Sequence, residues 1–215
     1  MIFNRHKEIN WVGFRLIVKV LDITLWGCYC LSRFLILQGF QMNTAQSKQT
    51  LPALAFVFPY HEMLMRGLLR VGDFSVKTRS NNWSHRGLVL LYTSHGRYHK
   101  VPARVYNLNP NEFASGAIVG VATMVDSRPL TWQEKIQITC NFNKVNQAEA
   151  EEMLLGTDGD YVTPLPIGIF LKDVRRFKTP VPFKPKPGSI GIMRVSMSQV
   201  AKALKQAGVD PKNSN

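Results

Sequence analysis

Apolar and polar positions along the chain change in short stretches, most of which have the length of a β-strand. Continuous apolar runs occupy residues 51–58, 87–93 and 116–125, as expected for strands that are buried on both faces. Residues 74–79 instead alternate between apolar and polar side chains, which predicts a half-exposed strand with Lys77 and Arg79 on a common face. The pattern therefore predicts a fold built largely from short strands.

Helix signals are fewer and lie between these strands. Pro59 and Gly67 delimit a short helix over residues 60–66. A second helix, over residues 147–155, is predicted from a capping-box start at Asn146 and a stop at Gly156.

Further strands at residues 167–177 and 190–195 precede a last helix that begins at Ser196 or Ser198 and stops at Gly208. Short strands with scattered helices are typical of the α+β class. We expect a small mixed β-barrel with short flanking helices.

The first forty residues form an extra hydrophobic and amphipathic segment. The charged residues Glu8, Arg15, Lys19 and Asp22 fall on one stripe of a helix, which suggests that residues 11–40 lie on an apolar surface. The longest uncharged stretch, residues 23–32, is half the length needed to span a bilayer. Membrane contact through this segment is one alternative. The other alternative is an over-extended start before Met42.

We therefore divide the chain into three parts. Residues 1–50 are the amphipathic segment and a polar linker, residues 51–196 are the predicted domain, and residues 197–215 are a C-terminal helix and tail.

The net charge of the chain indicates which class of partner the protein binds. The 215 residues include 27 Lys and Arg against 14 Asp and Glu, for a net charge of +13. Residues 1–41 hold five of the basic and two of the acidic residues, so the remainder still carries +10. Such a surface attracts polyanions, either nucleic acid or an anionic membrane.

Cysteine and histidine spacings argue against a disulfide framework or a metal. Cys28, Cys30 and Cys140 are too few and too uneven for either, and a reducing cytoplasm fits them best. His95 and His99 have a helical metal spacing, but Gly96 lies between them. No metal or cofactor is expected.

Four segments in order carry a family resemblance: PYHEMLMRG at residues 59–67, VKTRS at 76–80, HRG at 85–87 and GAIVGVA at 116–122. Together with the closing stretch 177–195 they resemble the ASCH domain family, which has the fold of the RNA-binding PUA domains. The resemblance implies a PUA-like barrel with a basic cleft for RNA or a nucleotide.

The resemblance also includes an enzyme subgroup, which hydrolyses an acetylated cytidine nucleoside with a Lys and a Thr on one strand. When the strand is aligned through Arg79, those positions hold Phe74 and Lys77. The expected function is therefore RNA or nucleotide binding without catalysis. Hydrolysis of modified nucleosides or RNA, as an amidohydrolase or ribonuclease, is the alternative.

Candidate contacts to RNA come from residues whose chemistry suits single strands and whose segments are expected at this cleft. Aromatic rings stack on unpaired bases, and Lys and Arg bind phosphates. A polar loop past the second buried strand supplies further donors. Each residue also has a structural alternative, such as core packing, a salt bridge or a solvated turn. The candidates are Tyr60, Lys77, Arg79, Trp83, Arg86, Ser94, His95 and Arg97.

Overall fold

The computed structural model describes residues 10–11, 14–15, 49–96, 99–156, 162–186 and 192–210. The chain divides into two units between Thr44 and Ala45.

The described part of the first unit is a short antiparallel pair. Strand β1 (Asn10–Trp11) pairs with β2 (Phe14–Arg15). The helix predicted on the stripe of charged residues is therefore wrong around Arg15, because the backbone there is extended. The rest of that prediction lies outside the described residues. Within the described residues, no helix combines the length and the apolar character that crossing a membrane requires.

The second unit is built on one seven-stranded sheet with helices around it. Its strands are ordered β4-β5-β8-β7-β6-β3-β9, and they pair antiparallel except for the parallel pair β3 and β6. The strand bounds are β3 Thr50–Phe56, β4 Arg70–Val71, β5 Phe74–Arg79, β6 Gly87–Thr93, β7 Ala117–Pro129, β8 Ile167–Pro182 and β9 Ile192–Ser196.

Five α-helices and one 3₁₀ turn are described in this unit. They are α1 Tyr60–Met65, α2 Lys100–Val105, the 3₁₀ turn Pro110–Glu112, α3 Trp132–Asn143, α4 Gln147–Leu155 and α5 Met197–Gln206. Capping boxes begin α3, at Thr131 with Glu134, and α4, at Asn146 with Glu149. These reciprocal bonds satisfy backbone donors that a helix start leaves unpaired.

The predicted closed barrel is not formed, and the fold is a mixed α+β arrangement around an open sheet. Three strands separate β5 from β3 in the sheet order, yet Nζ of Lys77 on β5 lies 4.4 Å from the ring centroid of Phe56 on β3. The sheet therefore curls, which brings β5 close to β3. No backbone ladder joins β3 to β5, so a seam remains between them.

Each face of the sheet carries its own apolar cluster, because side chains alternate along the strands. Leu54 and Phe56 of β3 point to the face covered by α1 and α3, where they join Met63 and Phe142. Ala53 of β3 points to the opposite face, which α5 covers. The seam and its surroundings belong to the first of these faces.

Two glycines allow strand β7 and the residue before it to pack closely. Gly116 has a φ of +65°, and a Cβ added there would lie 1.8 Å from Nε2 of His95. A Cβ on Gly120 would lie 2.4 Å from the backbone oxygen of Arg175, at a shift in the β7–β8 register. Close approach of neighbouring groups is a common reason for a glycine in or beside a strand.

Candidate functional site

The seam of the curled sheet contains a cavity of about 300 Å³, within the size range of small-molecule sites. Its walls are the end of β3, the middle of β5 and the start of α1. Phe142 of α3 and residues of the segment 162–165 also line it. We call this space the Lys77 cavity. Its wall is mostly apolar, so its few polar groups decide what it can bind.

Lys77 is the charged group in the lining of this cavity. Its ammonium lies over the buried ring of Phe56 and forms no ion pair with any described carboxylate. Burial and the nearby charge of Arg79 lower the pKa of Lys77 to about 8. The side chain is partly exposed and therefore keeps most of its charge at pH 7, with no described carboxylate to compensate it.

Tyr60 adds a second hydrogen-bond donor. Its ring packs between His99, at 5.1 Å, and Phe142, at 5.2 Å between ring centroids. The buried hydroxyl has no hydrogen-bond partner among the described residues. Burial raises the pKa of Tyr60, so the hydroxyl keeps its proton and remains available as a donor. Leaving a buried donor unpaired is costly, which makes Tyr60 a candidate ligand contact.

Ser94 lines the cavity at the end of β6. Its hydroxyl donates to the backbone oxygen of Phe56 at 3.0 Å, so its own oxygen remains an acceptor. The described lining contains no Asp or Glu. Its polar chemistry is dominated by donors, which suits a ligand rich in acceptor oxygens or negative charge.

Arg79 lies two residues beyond Lys77, at the end of β5. It forms no ion pair within the described part of the chain, and its charge contributes to the lowered pKa of Lys77. The strand period puts both cations on one face.

Trp83 and Arg86 do not reach the cavity. Trp83 is 6% exposed and belongs to the apolar core, so the expected exposed stacking ring is absent. The polar residues around Trp83 in the sequence gave no indication that its ring is buried. Arg86 donates to the carboxylate of Asp126 at 2.8 Å and to the backbone oxygens of Trp83 and His85. These contacts match the salt-bridge alternative for Arg86.

The loop after β6 is only partly described. His95 is exposed and lies on Gly116, with its Nδ1 3.3 Å from Oγ of Ser115, and it is not part of the cavity wall. Arg97 lies outside the described residues. Of the eight sequence candidates, the cavity wall brings together Tyr60, Lys77 and Ser94.

Helix α1 also carries buried polar residues that sequence reasoning did not select. Glu62 accepts hydrogen bonds at 2.7 Å from Arg66 and from Arg176. Burial opposes ionisation of Glu62, but the two arginines prevail and lower its pKa. His61 is 2% exposed, and burial lowers its pKa to about 4. The alternation of apolar residues in α1 gave no sign that its polar members face inward.

Other cavity residues were also missed. Phe142 lies on a helix that the sequence did not predict, although the capping-box pair Thr131 and Glu134 signals its start. His99 was considered only as a metal ligand. Within the described ranges, no group of three or more His, Cys, Asp or Glu is placed to hold a metal ion.

No protein-family model matches the chain, and no curated protein matches its sequence. Similar solved structures include the ASCH protein of Zymomonas mobilis and two single-substitution variants of it. They share 8–9% identity with this chain, and the alignments cover 72–74% of this chain and 93–98% of theirs. The TM-scores are 0.36–0.39. A likeness this weak carries no conclusion about function.

Proposed function

We propose that the second unit binds single-stranded RNA or a nucleotide in the Lys77 cavity and does not alter it chemically. The observation that carries this proposal is the ammonium of Lys77, which lies against Phe56 without an ion-pair partner among the described residues. The side chain of Lys77 is only partly exposed, so its charge is incompletely solvated in the free protein and gains from a ligand that compensates it. An anionic ligand would supply the ion-pair partner that Lys77 lacks among the described residues.

The other polar groups narrow the ligand class. Tyr60 offers an unpaired hydroxyl, and Lys77 offers an ammonium, so the ligand must supply acceptors. The apolar wall suits a ligand that has a flat, weakly polar face. A nucleotide combines carbonyl and phosphate oxygens with such a face, and aromatic side chains commonly bind unpaired bases.

The charge of the chain supports a polymeric anion over a free nucleotide alone. The net charge is +13, and it stays +10 without residues 1–41. Arg79 lies beside Lys77 and is available for a phosphate. Log affinity should fall with log salt by about 0.7 for each phosphate contact to a single strand. An affinity for RNA that ignores salt would contradict this part of the proposal.

The proposed type of module is an ASCH domain. Support comes from the four ordered sequence segments, of which residues 59–67 and 76–80 supply parts of the cavity wall. The departures at Phe74 and Lys77 remain, so the proposal covers binding and not the enzyme subgroup's chemistry.

The test is equilibrium binding of fluorescent oligouridylate and oligoadenylate to the full chain and to two variants of Lys77. Lys77→Met removes the charge and keeps an unbranched stem, and we expect at least a tenfold loss of affinity. Lys77→Arg keeps the charge and should retain part of the affinity. Equal affinity of the Lys77→Met variant and the parent would reject the cavity as the binding site.

Arg79, which lies beside the cavity and not in its wall, provides a second measurement. We expect Arg79→Ala to weaken RNA binding by about 1–3 kcal/mol, and Arg79→Lys to recover only part, because an ammonium cannot form the planar two-bond contact of a guanidinium. Unfolding of the Arg79→Ala variant would instead identify a structural arginine. Circular dichroism on the same samples separates these outcomes.

A hydrolase is the second candidate, and one observation favours it. Lys77 has a pKa of about 8, so a fraction of its amine is neutral near physiological pH and can accept a proton. The absence of any carboxylate from the described lining weighs against it. Incubation with N-acetylated cytidine, followed by chromatography, tests this candidate. Turnover that is lost in Lys77→Arg while binding persists would establish catalysis.

A further inference from the structure

Two smaller pockets continue from the Lys77 cavity along α1. The first, of about 140 Å³, shares Ser94 with the cavity and is lined by His61 and Phe113; we call it the His61 pocket. The second, of about 200 Å³, shares His61 and Phe113 with the first and reaches Lys178 on β8; we call it the Lys178 pocket. The three spaces therefore follow one another, each sharing wall residues with the next.

We infer that these three spaces form one track for single-stranded RNA of at least three nucleotides, entered from the Lys77 cavity and continuing past His61 to Lys178. This inference rests on the proposed function of the Lys77 cavity, and it commits that site to an oligonucleotide instead of a free nucleotide. A ligand that fills the cavity alone leaves the other two spaces vacant.

His61 lies between the two smaller pockets and is the main evidence that they belong to one track. It lines both smaller pockets, its residue is 2% exposed, and its Nδ1 has no hydrogen-bond partner among the described residues. Burial lowers the pKa of His61 to about 4, so the ring is neutral and its free nitrogen can bond the edge of a base. A buried polar atom without a partner calls for an explanation, and the explanation within this inference is a ligand group bound between the two spaces.

Aromatic rings accompany the track along its length. Tyr60 packs against His99 beside the cavity. Further along, the ring of Phe113 lies 6.0 Å from that of His61. Partly exposed rings interleaved with cations are the usual platform for successive unpaired bases.

The far end of the track is positively charged. Arg176 and Lys178 are exposed, lie two residues apart on β8, and both line the Lys178 pocket. Arg176 is engaged by Glu62, whereas Lys178 has no ion-pair partner among the described residues. Glu112 also lines this pocket and accepts a hydrogen bond from Asn109 at 3.4 Å. Lys178 is therefore the residue best placed to meet a phosphate.

The test measures affinity against ligand length with the full chain. Uridine and adenosine monophosphates, their dinucleotides, trinucleotides and hexanucleotides are titrated separately. We expect affinity to rise at least tenfold from the mononucleotide to the trinucleotide and to rise little beyond that length. Triglutamate, with a similar charge and no bases, should compete poorly.

Two lysine variants locate the gain in affinity. Lys178→Ala should reduce trinucleotide affinity about fivefold and leave mononucleotide affinity unchanged. Lys202→Ala is the matched control, because Lys202 is exposed on α5, which covers the other face of the sheet. It should change neither affinity by more than a factor of two.

The outcomes separate this inference from the proposed function. Binding of a mononucleotide that does not tighten with length, or equal losses for both lengths in Lys178→Ala, overturns the track and leaves the cavity as a nucleotide site. Equal competition by triglutamate also overturns the track, because it would indicate charge recognition of an acidic peptide. Failure of every nucleotide to bind overturns the proposed function and the track together.

Discussion

The two faces of the seven-stranded sheet differ in how they are packed. On the face covered by α5, Val200, Ala203 and Leu204 fill an apolar cluster, and Arg175 donates to the last backbone oxygens of the helix. On the other face, the cavity remains open. The buried side-chain polar atoms that lack a partner in the described ranges, Tyr60 Oη and His61 Nδ1, both belong to helix α1 on this second face.

This difference separates what holds the fold together from what is available to a ligand. On the α5 face, no buried side-chain polar atom of the described residues lacks a hydrogen-bond partner. The cavity face keeps a cation against an aromatic ring and leaves polar atoms unpaired, each of which costs stability in the free protein. The cavity and the unpaired polar atoms beside it distinguish this face from the one that α5 covers.

The same substitution on each face should give the largest contrast. Leu204 is fully buried under α5, so Leu204→Ala should lower the free energy of unfolding by about 2–5 kcal/mol. Leu165 is 49% exposed at the cavity, so Leu165→Ala should change it by no more than about 0.5 kcal/mol. Urea unfolding monitored by circular dichroism measures both. Equal losses would show that the faces are packed alike.

Acid should weaken the cavity face through His61. The folded protein holds the pKa of His61 at about 4, below its usual 6.5, so stability is lost as pH falls from 6.5 towards 4. The expected loss is about 3 kcal/mol, since each pKa unit corresponds to about 1.4 kcal/mol. Glu62, with a lowered pKa, loses its contribution only below its usual value of 4.5.

His61→Gln is the matched variant, because it keeps a polar side chain without a titrating ring. Urea midpoints from pH 7 to pH 4 should fall less in this variant than in the parent. Parallel curves would assign the acid sensitivity to another group.

Lys77→Met should stabilise the free domain at neutral pH while it removes binding. The pKa of Lys77 is lowered, so the unfolded chain binds more protons than the folded one between pH 8 and 10.5, and stability of the parent rises with pH in that window. The variant should lack this rise. At pH 7 we expect a gain of about 1–2 kcal/mol after loss of the contact with Phe56. A less stable variant would contradict the account of Lys77.

Arg86→Ala should have the smallest effect. Its ion pair with Asp126 is half exposed, and such pairs contribute at most about 1 kcal/mol. RNA affinity should stay within a factor of two of the parent, because the guanidinium of Arg86 is already engaged by Asp126 and by the backbone oxygens of Trp83 and His85. A loss like that of Arg79→Ala would extend the binding surface to this region.

Local signals predicted individual elements well. Strands β5 and β6 and helix α4 have the bounds that alternation, apolar run length and a capping box indicate. Helix α3 was missed because its residues include several β-branched and polar side chains, and its burial depends on packing against the sheet. Helix α2, with Pro102 inside it, gave even less signal.

The cavity was predictable only in part, because its wall comes from segments far apart in the chain. Lys77 and Tyr60 could be selected by residue type and strand period. The sequence could not show that Lys77 meets Phe56 across the seam, since that contact depends on the curl of the whole sheet. The burial of Trp83 depends likewise on tertiary packing, including a bond from its backbone to Ser127.

The most direct measurement of the central claim is the titration of Lys77 itself, followed by the chemical shift of its ¹³Cε with and without a saturating trinucleotide. Lys77→Arg identifies the resonance. In the free protein we expect a pKa near 8. A bound phosphate or carbonyl oxygen stabilises the ammonium, so the pKa should rise by at least one unit in the complex. An unchanged titration at full occupancy would show that the ligand does not contact Lys77.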